Sequence, residues 1–392
     1  MKRISVTSAV ALPLVASLAI SACGSSSSAN NDKSHSSSVA ASSTVSSDGP
    51  AIGAAGSGPV ETTVGPTGEP ATQASAVVLT PAQVSELRGK HFTAAMAWHE
   101  SSTFTSAVTQ GANAEFKRLG IKVMSTVQAN FDAATQVNQL QTLEAEKPGV
   151  VLSLPVDPAT EASAYRSLGS SGSKLILLSN LPTGLKYPSE YQGIVTDDLS
   201  AMGKQAAEMM GQALGGKGNV GFIYYDADYY VTNERDGAFR TWLRKLYPNI
   251  HIVAQEGMAD PTKADSIATA MMQANPKING IYVPFSEPPA EGVISALRGL
   301  GSSTGVKVIT MDLDPSIDAD LCTGQYLAGI VADQPYLLGE TLAKEAGLVL
   351  LGKSAPQFSV VKAQAVTKPN ILAAWQQTLD QAPPANVKSA CS

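Results

Sequence analysis

From His91 onward the chain alternates short apolar runs with longer stretches of helical periodicity, and this alternation restricts the fold more than any other feature. Phe92–Trp98, Ile121–Thr126, Val150–Leu154 and Leu175–Ser179 each have the length of a buried strand. Between the first two, Phe104, Val108, Ala112, Phe116 and Leu119 fall on one helical face, and Gly120 follows as a stop. Ala134–Glu146 and Thr160–Leu168 continue the helical series. Strands separated by helices are joined by crossovers rather than hairpins, which predicts parallel sheets covered by helices on both faces.

A second series opens after Gly193–Thr196. It runs through helix Leu199–Leu214, strand Val220–Tyr224, helix Asn233–Tyr247, strand Ile252–Gln255, helix Lys263–Asn275 and strand Gly280–Val283. Pro288 and Pro289 suit the first turn of the next helix, which stops at Gly301. Strands Val308–Met311 and Leu327–Val331 and helix Pro335–Leu351 complete it. Two βα series of similar size predict an α/β protein of two similar lobes, as does a length of 392 residues, beyond one typical domain.

The N-terminus is of another kind. Lys2 and Arg3 precede an apolar core, Ala9 to Ile20, that is shorter than the roughly 20 residues needed to span a bilayer. Ile20-Ser21-Ala22-Cys23 follows and resembles the bacterial lipobox. That resemblance implies a signal peptide over residues 1–22, cleavage before Cys23 and a diacylglyceryl group on its thiol. The plain alternative is an ordinary secretory signal with a cysteine near its end. From Gly24 to about Thr80 the residues are mostly Ser, Ala, Gly, Thr and Pro. So few large apolar side chains do not offset chain entropy, so residues 23–85 are expected to form a disordered tether. No second stretch is long and apolar enough to span a membrane. The net charge is −6, and loss of Lys2 and Arg3 leaves 25 basic against 33 acidic groups, or −8. Without a Lys/Arg cluster to neutralise phosphates, nucleic acid is excluded as a partner.

Several motifs invite chemistry and fail on context. Gly216-Lys217-Gly218-Asn219-Val220-Gly221 has dinucleotide spacing but follows a helix and opens a strand, the reverse of what pyrophosphate binding needs. Gly301-Ser302-Ser303-Thr304-Gly305 matches a nucleophile elbow in a helix-to-strand loop, again the wrong turn. With histidines only at 35, 91, 99 and 251, no general base is obviously placed. Asp312, Asp314, Ser316, Asp318 and Asp320 alternate like calcium-loop ligands, yet Ile317 and Thr323 stand where Gly and Glu belong. An acidic loop capping a short helix is the simpler reading. No metal, cofactor or enzymatic activity is expected. Cys322 and Cys391 remain after Cys23, and outside the cytoplasm such a pair is expected to oxidise, two buried thiols being the alternative.

From about Phe92 to Leu379 the chain resembles the sugar-binding branch of the type I periplasmic binding proteins, the ribose-binding protein family. The resemblance rests on residues 103–120, TFTSAVTQGANAEFKRLG, on Gly193–Asp198, and on Asn233-Glu234-Arg235-Asp236-Gly237-Ala238-Phe239. It continues through Ser286-Glu287 with Ala290-Glu291-Gly292, Val308–Asp312, Gly324-Gln325 and Asp333-Gln334-Pro335 with Gly339. It implies two Rossmann-like lobes joined by a three-stranded hinge near residues 197, 333 and 365. The implied lobes are 86–197 with 333–364, and 198–332 with 365–392. It also implies a ligand site at Ser102, Asn180, Asp197, Arg235, Ser286, Asp312 and Asp333. Trp98 and Phe104, with Tyr229 or Phe285, are the candidates to cover a sugar's ring faces. Such sites lie at the C-terminal ends of parallel strands, where Asp, Asn and Arg suit a rim of hydroxyls.

The departures from the family pattern concern charge. Ser179-Asn180 stands where the ribose binder has Asp-Arg, Ser286 where it has Asn, and Asp333 where Gln is common, while Glu100 and Glu287 add carboxylates. These disfavour ribose and point to a polyol, another sugar or an amine-bearing ligand. The resemblance implies the solute-capturing lipoprotein of an ABC importer, a monomer whose partners are a small sugar-like molecule, permease subunits and the membrane holding its lipid. A receptor reporting ligand to a membrane kinase is the alternative. A transcription regulator on the same core is excluded by the signal peptide, and a cell-wall enzyme by the lack of a nucleophile–base pair.

Overall fold

The computed structural model describes residues 63–301 and 305–392. The expected signal peptide, the Cys23 lipidation site and the tether as far as residue 62 lie outside the described residues. In chain order the strands are β1 (Thr72–Gln73), β2 (Thr93–Trp98), β3 (Lys122–Gln128), β4 (Val150–Ser153), β5 (Lys174–Leu178), β6 (Gly193–Asp197) and β7 (Lys217–Tyr225). They continue as β8 (Asn249–Met258), β9 (Gly280–Tyr282), β10 (Lys307–Met311), β11 (Leu327–Ala332), β12 (Phe358–Val361) and β13 (Gln364–Val366). They form a seven-stranded sheet, β1-β12-β6-β5-β4-β2-β3, and a six-stranded one, β13-β11-β10-β9-β7-β8. Every pairing in them is parallel except β11 with β13. The fold is therefore α/β with two lobes, as the alternation of runs predicts.

Strand and helix boundaries follow local chemistry. Ser102 caps the helix Thr103–Leu119 by accepting from the Thr105 amide at 3.2 Å, and Gly120 closes it in the left-handed region at φ 73°. That helix lies against Pro335–Leu350 through facing glycines. A Cβ on Gly111 would sit 1.9 Å from the Tyr336 carbonyl, and one on Gly339 1.9 Å from the Val108 carbonyl. The core holds fully buried Met96, Leu152, Ile176 and Ile194 in the first lobe and Phe222, Phe239, Tyr282 and Ile309 in the second. Each such side chain contributes roughly 1.5–3 kcal/mol by leaving water.

Three crossovers join the lobes, at 197–198, 333–334 and 362–363. They lie side by side: Asp198 N donates to Val361 O at 2.8 Å, and the Gln334 side chain donates to Lys362 O at 2.6 Å. The tether expected to reach residue 85 is corrected here, because the chain is built into the fold from Thr63. β1 extends the first sheet by pairing with β12, and helix Pro81–Arg88, capped by Thr80 and Gln83, buries Leu87 completely. Leu79, Val84 and Leu87 supply the apolar contact that the preceding Ser/Gly stretch lacks. The Thr63 hydroxyl donates to Asp198 at 2.6 Å, and the Tyr230 hydroxyl of the second lobe donates to Val64 O.

Beyond the last crossover, helices Ile371–Leu379 and Ala385–Cys391 pack on the second lobe, where Cys391 is disulfide-bonded to Cys322 across 5.1 Å between Cα atoms. The acidic run 312–320 is engaged by the protein itself. Asp318 accepts from Asp314 N at 3.1 Å and Trp375 Nε1 at 2.9 Å, and Asp320 from the amides of Tyr326 and Leu327 at 2.8 and 2.7 Å. Among the described residues no group of three or more His, Cys, Asp or Glu is placed to hold a metal ion.

Candidate ligand-binding cleft

The C-terminal ends of the parallel strands in both lobes converge on one cavity of about 670 Å³, counted out to its opening. Three of its residues, Phe131, Ser179 and Asp312, hold non-glycine left-handed backbones at φ 60°, 58° and 66°. Such conformations cost free energy and collect where side chains must be aimed at a ligand.

Arg235 is the cation of one side of the cavity. Its helix, Tyr230–Leu246, is seated by its neighbour Asp236, which accepts from Tyr282 Oη at 2.6 Å and Tyr225 N at 3.4 Å. Gly203 admits the same helix closely, since a Cβ there would lie 2.3 Å from the Arg235 carbonyl. The guanidinium, 5% exposed, donates to Pro284 O at 2.8 Å and lies 4.0 Å from Asp312 Oδ2 and 3.7 Å from Asp333 Oδ1. Burial opposes its charge most, but Asp312 and Asp333, with Tyr282 and Asp236 behind them, together outweigh it and raise its pKa. Burial drives Asp333 well above the usual carboxylate range, with Asp312 and Asp197 adding to the rise. Asp197 is pushed up to about 7 by burial against the Gln334 amide it accepts from at 3.2 Å. Arg235 Nε, Asp312 Oδ1 and Asp333 Oδ1 are buried without a hydrogen-bond partner in the protein. Buried polar atoms are nearly always satisfied, so these are available to a ligand.

The other side is aromatic. Phe131 and Phe285, from different lobes, stack at 6.3 Å with 26° between planes, and Tyr225 stands edge-on to Phe285 at 5.8 Å and to Tyr229 at 5.4 Å. Phe104 lines the same cavity. The lobes also touch by hydrogen bonds, from Thr103 N to Glu287 Oε2 at 3.3 Å and from Val231 N to Asn180 Oδ1 at 3.2 Å.

Of the residues expected in the site, Ser102, Phe104, Asp197, Arg235, Ser286, Asp312 and Asp333 line the cavity. Two hydroxyls among them are already engaged: Ser102 caps its helix, and Ser286 lies 2.6 and 2.7 Å from the carbonyls of Met311 and Asp312. Trp98 and Asn180 are corrections. Trp98 is fully buried in the core and donates Nε1–H to Thr109 Oγ1 at 2.8 Å, because it shares the face of β2 that carries Ala94 and Met96 and packs with Val108 and Ala112 of the following helix. Asn180, fully buried, bridges Pro155 O and Val231 N instead of facing the cavity. Sequence reasoning missed Phe131, Tyr225, His99, Thr103 and Thr232. Position alone was the signal for the two rings: Tyr225 ends β7, and Phe131 comes just after β3.

Residues 94–354 match the family model described as periplasmic binding protein domain. The chain is 27% identical over 283 residues to the D-allose-binding periplasmic protein of Escherichia coli (strain K12), covering 68% of this chain and 89% of that protein. It is 24% identical over 278 residues to the xylitol-binding protein of Mycolicibacterium smegmatis, covering 70% and 76%. An ABC transporter solute-binding protein from Agrobacterium vitis, solved bound with alpha-D-tagatopyranose, superposes with a TM-score of 0.66 at 22% identity, covering 71% of this chain and 96% of that one.

Proposed function

The chain belongs to the periplasmic binding protein family, and from that premise we propose that it captures a sugar or polyol outside the cytoplasm and delivers it to an ABC importer. The observation carrying this reading is the buried Arg235–Asp312–Asp333 group, whose free polar atoms face a cavity walled by aromatic rings. A sugar hydroxyl both donates and accepts, so it suits a guanidinium beside carboxylates, while apolar ring faces suit Phe104, Phe131 and Phe285. The relatives that bind D-allose and xylitol support the same class of solute. In this role the protein binds and releases its solute unchanged.

Asp197 and Asp333 sit on two of the crossovers, so lobe closure and ligand contact share residues. Opening would part Thr103 from Glu287 and Phe131 from Phe285, and closing would remake those contacts around the solute. The proposed lobes are 86–197 with 333–364 and 198–332 with 365–392, except that residues 63–85 join the first and Gln364 at the start of β13 joins the second. Lipid on Cys23 would hold the trap at the membrane, with the segment before Thr63 as its tether. Cys23→Ser should move the protein from the membrane fraction into the soluble one, and unchanged partition would remove the anchor from the account.

Thermal-shift screening against aldoses, ketoses, polyols and amino sugars tests the binding function. A ligand at 100 times its dissociation constant stabilises by about 2.7 kcal/mol, which moves the melting temperature by degrees. A panel without any stabilising member would contradict the reading.

A further inference from the structure

We propose that the solute carries a cationic amine beside its hydroxylated ring, and that Glu100 and Glu287 hold this amine among the aromatic rings. The inference rests on the sugar-binding reading and narrows it. Five carboxylates, from Glu100, Asp197, Glu287, Asp312 and Asp333, line the cavity, and Arg235 is the one lysine or arginine among its lining residues. That guanidinium lies with Asp312 and Asp333, at 4.0 and 3.7 Å, and Asp197 is satisfied in part by the Gln334 amide. Glu100 and Glu287 belong to the other side. Glu100 comes from the first lobe and has His99 Nε2 at 3.3 Å; Glu287 comes from the second and accepts from Thr103 N at 3.3 Å.

The surroundings of this carboxylate pair fit an ammonium. The Phe131, Phe285, Tyr225 and Tyr229 rings are all within 6.4 Å of a neighbouring ring in the cluster. Aromatic faces attract a desolvated cation through their quadrupole. His99 Nδ1 and Tyr229 Oη, each more than nine-tenths buried, line the cavity without a hydrogen-bond partner in the protein, which independently marks this side as ligand-facing. A neutral solute would seal Glu287 from water with no cation beside it and leave Glu100 with the His99 ring alone. An ammonium supplies that charge and three donors. Burial, with the Asp314 and Glu100 carboxylates adding to it, pushes Glu287 up to about 7, the strain a bound cation relieves.

Matched pairs separate this inference from the reading beneath it. Calorimetry on the mature chain at pH 7 would compare D-glucosamine with D-glucose, D-galactosamine with D-galactose, and an aminodeoxyinositol with its inositol, with N-acetylated forms as uncharged controls. At least one amine should bind tenfold or more tighter than its neutral parent, and acetylation should remove the gain. Glu287→Gln and, separately, Glu100→Gln should shrink the amine-to-neutral ratio at least threefold; an unchanged ratio in both folded variants overturns the assignment. Neutral parents binding as tightly as the amines in every pair overturn the inference and leave the sugar reading standing. Absence of binding by either class overturns both.

Discussion

Arg235 keeps a charge inside the protein because Asp312 and Asp333 answer it, and those carboxylates in turn are tolerable because of Arg235. Elsewhere burial meets no answering charge. Glu345, fully buried with one oxygen on Ser359 Oγ at 2.5 Å, is pushed up to about 8 by burial. A carboxyl raised in the folded state retains a proton that the unfolded chain releases. Its stabilising contribution is therefore full below about pH 4.5 and is lost as pH rises to about 8. Glu345→Gln should flatten this decline, so the melting-temperature difference between variant and parent should grow in the variant's favour from pH 5 to pH 8. Parallel profiles would contradict the assignment. Trp98 gives a second prediction. Trp98→Phe removes the bond to Thr109 and leaves a void, costing about 1–3 kcal/mol in chemical denaturation, while ligand affinity stays unchanged. Lost affinity would return Trp98 to the cleft. Its position beside His99 and Glu100 was legible in the sequence; the direction of its ring was not, because alternation along a strand buried on both faces leaves no polar signal.

Among the elements, the strands and longer helices from β2 to the helix Pro335–Leu350 were legible from periodicity, while the short acidic helix Asp318–Thr323 was not. What escaped is short or borrowed from elsewhere. β1, β12 and β13 have two, four and three residues, too few for a period to register. The helix Pro81–Arg88 sits inside an apparent tether, and its fixed place comes from packing on the first lobe. Close helix approach was also hidden, although the glycines that permit it are in plain view. Gly339→Ala places a methyl 1.9 Å from the Val108 carbonyl and should force the helices apart at about 1–3 kcal/mol or more. Gly237→Ala is the control, because its Cβ would meet nothing within 4 Å. Equal melting temperatures for both variants would refute the account of that packing.

At the scale of the molecule, the three crossovers between the two sheets carry Asp197 and Asp333 into the shared cavity, so the proposed ligand contacts sit where the lobes would hinge. The C-terminal helix is stapled to the second lobe by Cys322–Cys391, at a sequence separation of 69. Cys391→Ser should cost about 2–4 kcal/mol on the constrained-chain argument, with solute affinity little changed; unchanged stability would mean the staple is dispensable. The central claim is that Arg235 and Asp312 bind solute inside the cavity. Calorimetric titration of the screened ligand into parent, Arg235→Ala and Asp312→Ala proteins tests it most directly. A ligand hydrogen bond to a charged group is worth roughly 1.5–3 kcal/mol, which predicts saturable one-to-one binding by the parent and about a tenfold or greater loss in each folded variant. Unchanged affinity in both variants would contradict it.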